Sequence, residues 1–153
     1  MNSETLECTT KATGKHFAII VSRWNELVTK QLMEGALSEF ERADAASVRV
    51  IHVPGTWEIP PVVSKLIDSG KVDGVVALGC ILQGQTTHAQ LLGGDVSAAL
   101  MNLQTQAKVP VSWGILTPDT LEQALDRSGA KHGNKGREAA LAAIETANVL
   151  ERL

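Results

Sequence analysis

The stretch Val72–Gly79 (VDGVVALG), followed at once by Cys80–His88 (CILQGQTTH), decides the fold. Val72–Gly79 is almost continuously apolar, which is typical of a strand that is buried on both faces of a sheet. The segment after it is polar and opens a new stretch with helical spacing. Strand, loop and helix in this order are the repeating unit of a parallel α/β fold.

Three other stretches have the same apolar, β-branched character: His16–Ser22 (HFAIIVS), Val48–Val53 (VRVIHV) and Val109–Leu116 (VPVSWGIL). Between and after these strands, apolar residues recur at the spacing of a helix that buries one face. Examples are Val28, Leu32, Ala36 and Phe40, and, near the end, Ala140, Ile144, Ala147 and Leu150. Connections long enough for helices join parallel strands, so the sequence predicts a four-stranded parallel sheet with helices on both faces.

Length and composition set the domain count. The chain has 153 residues, of which 44% are hydrophobic, enough for one compact core and too few for two ordinary domains. We expect a single domain over residues 15–153. The Thr-rich residues 1–14 form an N-terminal segment outside it, and a strand there would need a neighbouring subunit as its partner.

Charge and cysteine content exclude several classes of function. The net charge is −3 and the basic residues are scattered, so we expect no nucleic-acid partner. No apolar run approaches the ~20 residues of a membrane span, and residues 1–14 lack a signal peptide, which predicts a cytoplasmic protein. Cys8 and Cys80 lie far apart without metal-ligand spacing, so neither a disulfide nor a metal is predicted.

Ligands of open α/β sheets bind beyond the carboxyl ends of the strands. The chain has no tyrosine, yet Trp24, Trp57 and Trp113 all lie in or beside predicted strand ends. One such tryptophan is more often a packing residue, but three suggest a slot for a flat ring.

The sequence Gly84–His88 (GQTTH) follows a strand and opens a helix. Free N–H groups at a helix N-terminus can hold a phosphate, although a plain threonine N-cap explains the same pattern. His88 suits proton transfer near neutral pH and could equally be a solvated side chain. The stretch Gly129–Glu138 joins two helical segments and, by composition alone, is a glycine-rich connection.

Taken together and in order, these segments resemble the lumazine synthase family from about His16 to the C-terminus. The resemblance rests on Arg23-Trp24-Asn25, VPGTWEIP (53–60), GCILQGQTTH (79–88), VPVSWGILTPDTLEQA (109–124), Arg127 and GNKGREAA (133–140). It implies a three-layer, flavodoxin-like sandwich. It also implies condensation of 5-amino-6-(D-ribitylamino)uracil with 3,4-dihydroxy-2-butanone 4-phosphate, in riboflavin biosynthesis, without a metal or organic cofactor.

The same resemblance assigns residues to roles. His88, Arg127 and Lys135 are implied as catalytic, with His88 transferring protons. Main-chain N–H groups of Gln85 and Thr86, together with the guanidinium of Arg127, would bind the substrate phosphate. The residues that would line the site for the pyrimidinedione and its ribityl chain are Trp24, Asn25, Thr56, Trp57, Glu58, Cys80, Ile81, Leu82, Trp113 and Lys135.

The resemblance further implies a homo-oligomer, with each site shared between subunits of a pentamer. Trp24, Glu58 and His88 of one subunit would face three residues of its neighbour: Trp113, Arg127 and Lys135. The short connection Gly129–Gly136 favours assembly of pentamers into a 60-subunit icosahedral shell, and association with riboflavin synthase would be possible.

The chain departs from the family pattern in three places. Trp24 stands where phenylalanine is usual, Gln83 where arginine is common, and Ala89-Gln90-Leu91 where aromatic and acidic residues follow the histidine. Three alternatives of the same fold stay open: a flavin- or lumazine-binding module without catalysis, a shell-forming protein without activity, and a riboflavin synthase of the archaeal kind.

Overall fold

The computed structural model describes all residues from Met1 to Leu153. Strands and helices alternate along the chain, with a short 3-10 turn at Thr56–Glu58. In chain order, the elements are β1 (His16–Ser22), α1 (Glu26–Arg42), β2 (Ser47–Val53), α2 (Ile59–Asp68), β3 (Gly74–Cys80), α3 (His88–Ala107), β4 (Val111–Leu116), α4 (Leu121–Arg127) and α5 (Lys135–Arg152).

The four strands form one parallel sheet in the order β2-β1-β3-β4. The predicted four-stranded parallel sheet is therefore confirmed. Because β2 lies on one side of β1 and β3 lies on the other, the chain reverses its direction of winding between β1 and β3. The loops that leave the carboxyl ends of these two strands diverge and create the crevice in which ligands of such sheets bind.

The sheet separates two apolar cores. On one face, α1 and α5 cover Phe17, Ile19 and Leu78, and the rings of Phe17 and Phe40 lie 4.6 Å apart. On the other face, α2 and α3 cover a second set that includes Ala18 and Ile20. Successive residues of β1 thus point into different cores, which is why this strand is apolar without alternation.

Two strands begin two residues later than the apolar pattern predicts. β3 begins at Gly74 rather than Val72, because the Asp73 carboxylate accepts a hydrogen bond from the backbone N–H of His16 at 2.7 Å. β4 begins at Val111 rather than Val109, because Pro110 has no N–H to donate to a ladder. β2 begins one residue earlier than predicted, at Ser47, and β3 ends one residue later, at Cys80.

Residues 1–14 contain no strand within the single chain, and their pairing with a neighbouring subunit remains a prediction. The end of this segment is attached to the domain. The Asn148 side chain on α5 donates hydrogen bonds to the carbonyls of Thr9 at 2.7 Å and Lys11 at 2.8 Å. Ala12 is fully buried and donates its N–H to Ala43 at 2.8 Å.

Candidate active site

The crevice between β1 and β3 is spanned by a side chain. Asn25 precedes α1 in the left-handed region, with a φ of 66°, which asparagine tolerates better than most residues. Its Nδ2 donates a hydrogen bond of 2.8 Å to the carbonyl of Cys80, the last residue of β3. The bond fixes the loop after β1 to the end of β3, and the side-chain oxygen Oδ1 of Asn25 can still accept a bond from a ligand.

The loop after β2 packs against Trp24. A Cβ on Gly55 would lie 2.5 Å from two atoms of the Trp24 indole, so the ring rests directly on the Gly55 backbone. Glu58 accepts a hydrogen bond of 3.0 Å from the N–H of Gly55 through Oε2. Glycine at position 55 therefore leaves room for the Trp24 ring, and the rest of the ring surface is exposed.

Thr56, in the turn that follows β2, is buried against β3, and only glycine at position 79 leaves room for its methyl group. The neighbouring Cys80 is also buried. Burial raises the pKa of its thiol to about 11, so the group is neutral near pH 7. Cys80 thus enters the site as a backbone carbonyl and a small apolar side chain rather than as a nucleophile.

The loop after β3 runs beside the loop after β4. Ile81 donates its N–H to Leu116 at 2.8 Å, and Gln83 donates its N–H to Pro118 at 3.0 Å. Ile81 is buried and Leu82 is half-buried. This hydrogen bond uses the backbone of Gln83 and does not depend on its side chain. Glutamine in place of the arginine common at this position therefore leaves the path of the loop intact.

The N-terminus of α3 differs from the simpler sequence interpretation. His88 is the first residue of α3, but the side chain of Thr87 at the N-cap makes no hydrogen bond to the helix. The threonine N-cap is therefore wrong, and the only side-chain hydrogen bond here is a long one of 3.4 Å from the His88 N–H to Thr86 Oγ1. Gln85, Thr86 and His88 are exposed, and the first-turn N–H groups, which have no partner within a helix, face solvent.

All three tryptophans are exposed, by 65% at Trp24, 59% at Trp57 and 41% at Trp113. Trp24 and Trp57 follow β1 and β2, as predicted. Trp113 lies inside β4, opposite Ala77, as the predicted strand Val109–Leu116 implied. Within one chain, the three rings therefore do not converge on one pocket, and Trp57 lines a separate hollow of about 370 Å³ with Glu58 and Asp95.

Trp113 opens onto a larger cleft of about 580 Å³, between β4 and the ends of α4 and α5. Arg127 and Lys135 line this cleft, as do Gln123, Asp126 and His132, which sequence analysis left without a role. In the sequence, only their position near Arg127 indicated that these three residues belong to the site. The remaining lining residues are Gly114, Ile115, Leu116, Thr117 and Pro118.

The cleft is cationic. Arg127 is exposed at the end of α4 and makes no ion pair within the chain. Lys135 pairs with Glu138 at 2.6 Å, an exposed i,i+3 pair of the kind that contributes little to stability. The Lys135 ammonium can therefore exchange that partner for an anionic or polar ligand at low cost.

The predicted site residues thus fall into two groups. The first group lies at the ends of β1, β2 and β3 and includes Trp24, Asn25 and Glu58. The second group lines the cleft beside β4 and comprises Trp113, Arg127 and Lys135. Neither Trp24, Glu58 nor His88 borders the cleft.

No group of three or more His, Cys, Asp or Glu side chains in the chain could hold a metal ion. None of the helices combines the length and apolar character that a membrane crossing demands.

Strand order and crevice define the class: a flavodoxin-like α/β protein with ligand-binding loops at the carboxyl edge of its sheet. The family model described as 6,7-dimethyl-8-ribityllumazine synthase matches residues 14–151. A protein of that name from Buchnera aphidicola is 43% identical over 145 residues, covering 93% of this chain and 91% of the relative. Another, from Desulfotalea psychrophila, is 43% identical over 150 residues, 97% of each chain. The chain belongs to the 6,7-dimethyl-8-ribityllumazine synthase family.

Proposed function

We propose that this chain is an enzyme that forms 6,7-dimethyl-8-ribityllumazine from 5-amino-6-(D-ribitylamino)uracil and 3,4-dihydroxy-2-butanone 4-phosphate. The observation that carries the proposal is the family match over residues 14–151, which includes every residue assigned to the site. The exposed face of Trp24 offers a stacking surface for the pyrimidinedione. The unpaired guanidinium of Arg127 offers a bidentate partner for the phosphate.

The proposed reaction asks mainly for orientation of two substrates. The 5-amino group of the pyrimidinedione attacks the ketone of the sugar phosphate, and loss of water gives an imine. Loss of the C3 proton then expels phosphate from C4 and leaves an enol, which tautomerises to a ketone at C3. The ribitylamino nitrogen attacks this new carbonyl and closes the ring with loss of water. His88, exposed at the start of α3, moves protons in these steps, while Arg127 stabilises the departing phosphate.

The proposed site is shared between subunits. Trp24, Glu58 and His88 belong to one half, while Arg127 and Lys135 line a cleft that none of those three residues reaches. A head-to-tail contact would place the cleft of one subunit beside the crevice of the next, and such a contact closes into a ring. The exposure of Trp113 by 41% on an edge strand supports an interface there.

We propose a pentameric ring, assembled into a 60-subunit shell, on the strength of the short connection Gly129–Gly136. Sedimentation velocity tests this assembly. A lone pentamer, five times the 16.3 kDa mass of the chain, would refute the shell and leave the enzymatic proposal intact. Association with riboflavin synthase and the cytoplasmic location remain predictions, and co-sedimentation with that enzyme tests the first.

The activity is tested by incubating the purified protein with both substrates. We expect fluorescent lumazine to appear together with an equal amount of inorganic phosphate. Lumazine binding without phosphate release would instead support the non-catalytic binding module. Conversion of lumazine to riboflavin without need of the sugar phosphate would support the alternative riboflavin synthase.

A further inference from the structure

The side chain of Asn134 joins three elements around the cationic cleft. Its Nδ2 donates two hydrogen bonds of 2.9 Å, one to the carbonyl of Gln31 on α1 and one to the carbonyl of Ser128 after α4. Its Oδ1 accepts a hydrogen bond of 3.1 Å from the N–H of Arg137 and so caps α5. Both N–H donors of the amide are used, which only an asparagine at this position can provide.

The residues around Asn134 leave space for its side-chain amide and add further contacts. A Cβ on Gly35 of α1 would lie 2.4 Å from the Asn134 side chain, so glycine at that position opens the space. Asn134 and Ser128 also form an isolated antiparallel bridge that closes the loop between them. Ser128 is buried, and its hydroxyl donates to the Gln31 side chain at 3.0 Å, which adds a second tie to α1.

These contacts lie next to the cations of the cleft. Arg127 directly precedes Ser128, and Lys135 directly follows Asn134. The two residues therefore extend from the two ends of a loop that the Asn134 amide helps to close. Lys135 is additionally held by α5 itself, whereas Arg127 is the last residue of the short helix α4 and is exposed.

We infer that Asn134 is a positioning residue that holds Arg127 at the place where it binds the phosphate of the substrate. The inference rests on the proposed function for the identity of the phosphate ester. A plain helix cap would need only the acceptor, which serine also supplies. The substitution Asn134→Ser thus retains the cap of α5 and removes the two bonds that fix Gln31 and Ser128.

Steady-state kinetics of the assembled protein separate positioning from a general structural effect. We expect Asn134→Ser to raise the KM for the sugar phosphate about tenfold and to change the KM for the pyrimidinedione less than twofold. In the Arg127→Ala background, Asn134→Ser should cause no further change. An equal effect on both substrates, or a full effect in the absence of Arg127, would overturn the inference.

Asn148 provides a matched control on the same helix. Its Nδ2 also donates two hydrogen bonds to backbone carbonyls, those of Thr9 and Lys11, but at the far end of α5. Asn148→Ser should leave both KM values unchanged. If Asn134→Ser does not assemble, Asn134→Asp keeps the shape and the cap acceptor and should show the same selective rise.

Binding of inorganic phosphate, followed by isothermal titration calorimetry, gives a readout independent of turnover. We expect the Kd to rise about tenfold in Asn134→Ser and to be unaffected in Asn148→Ser. If the wild type forms no lumazine but shows this dependence, the proposed function fails and the positioning role stands. An unchanged phosphate affinity in Asn134→Ser overturns the positioning role, whatever the activity.

Discussion

Asn25 donates a hydrogen bond of 2.8 Å from Nδ2 to the carbonyl of Cys80, and this bond crosses the point where the sheet reverses its winding. Asn25 is also held at a φ of 66°. Alanine at this position loses the bond, about 1 kcal/mol, and adds left-handed strain of about 1 kcal/mol. Glycine loses only the bond, because it adopts this conformation without strain.

We therefore expect Asn25→Ala to lower the free energy of unfolding by about 2 kcal/mol and Asn25→Gly by about half as much. Urea denaturation at one fixed protein concentration measures both. Equal losses in the two variants would mean that backbone strain at position 25 is negligible. Wild-type stability in both would mean that the bond to Cys80 contributes nothing.

A second prediction concerns the contact between α1 and α5. A Cβ on Gly136 would overlap the backbone carbonyl oxygen of Leu32, because it would lie far closer to that atom than non-bonded atoms can approach. Gly136→Ala should therefore force the helices apart and cost about 3 kcal/mol or more. Gly94→Ala on α3 is the matched control, because nothing lies within 4 Å of its Cβ and alanine favours helices. Thermal unfolding measures both variants, and a lower melting temperature for Gly94→Ala than for Gly136→Ala would contradict this packing.

The fold could be predicted from the sequence largely because the two central strands, β1 and β3, are buried on both faces. The continuous apolar runs Val72–Gly79 and His16–Ser22 locate two strands, and helical spacing locates α1 and α5. The order β2-β1-β3-β4 could not be predicted, because it depends on how the helices pack across the sheet rather than on any local pattern. The start of β3 was missed because the Asp73 side chain replaces a backbone acceptor.

The site could be predicted in its parts but not in its arrangement. The resemblance named Arg127 and Lys135, and the fold brings both to one cleft. The predicted strand Val109–Leu116 correctly contained Trp113, but the sequence did not show that this ring lies apart from Trp24 and Trp57 within one chain. The hydrogen bonds of Asn134 and the place of His132 in the cleft were also missed, since both lie in a segment whose composition indicates only a glycine-rich connection.

A third prediction follows from the two cysteines. Burial raises the pKa of the Cys80 thiol to about 11, so its thiolate fraction at pH 8 is about one in a thousand. Cys8 is exposed. Iodoacetamide followed by peptide mass spectrometry should modify Cys8 and leave Cys80 unmodified until the protein is unfolded. Modification of native Cys80 as fast as Cys8 would contradict its burial.

A fourth prediction concerns the phosphate. Arg127→Ala removes a charge-assisted contact that contributes roughly 1.5–3 kcal/mol, so the KM for the sugar phosphate should rise about 10- to 150-fold. The KM for the pyrimidinedione should change far less. Arg137→Ala, an exposed arginine outside the cleft, is the control and should behave as wild type. Equal effects of Arg127→Ala on both substrates would refute its assignment to phosphate.

A fifth prediction concerns proton transfer. His88→Ala should lower kcat by ~10- to 1000-fold, because a positioned acid–base group is one contribution among several. His52→Ala, another exposed histidine, should leave kcat unchanged. Loss of all activity with the fold intact would contradict this prediction, because proton transfer by His88 would then contribute more to the rate than orientation of the substrates.

The central claim is that one catalytic site draws residues from two subunits, and mixed rings test it most directly. His88→Ala and Arg127→Ala chains are denatured together, reassembled at equal ratio and checked by native mass spectrometry for mixed rings. Random mixing gives about a quarter of the sites both wild-type residues, so we expect about a quarter of wild-type activity from two nearly inactive parents. Mixed rings that stay at the level of the parents would place His88 and Arg127 of a site in the same chain and contradict the account.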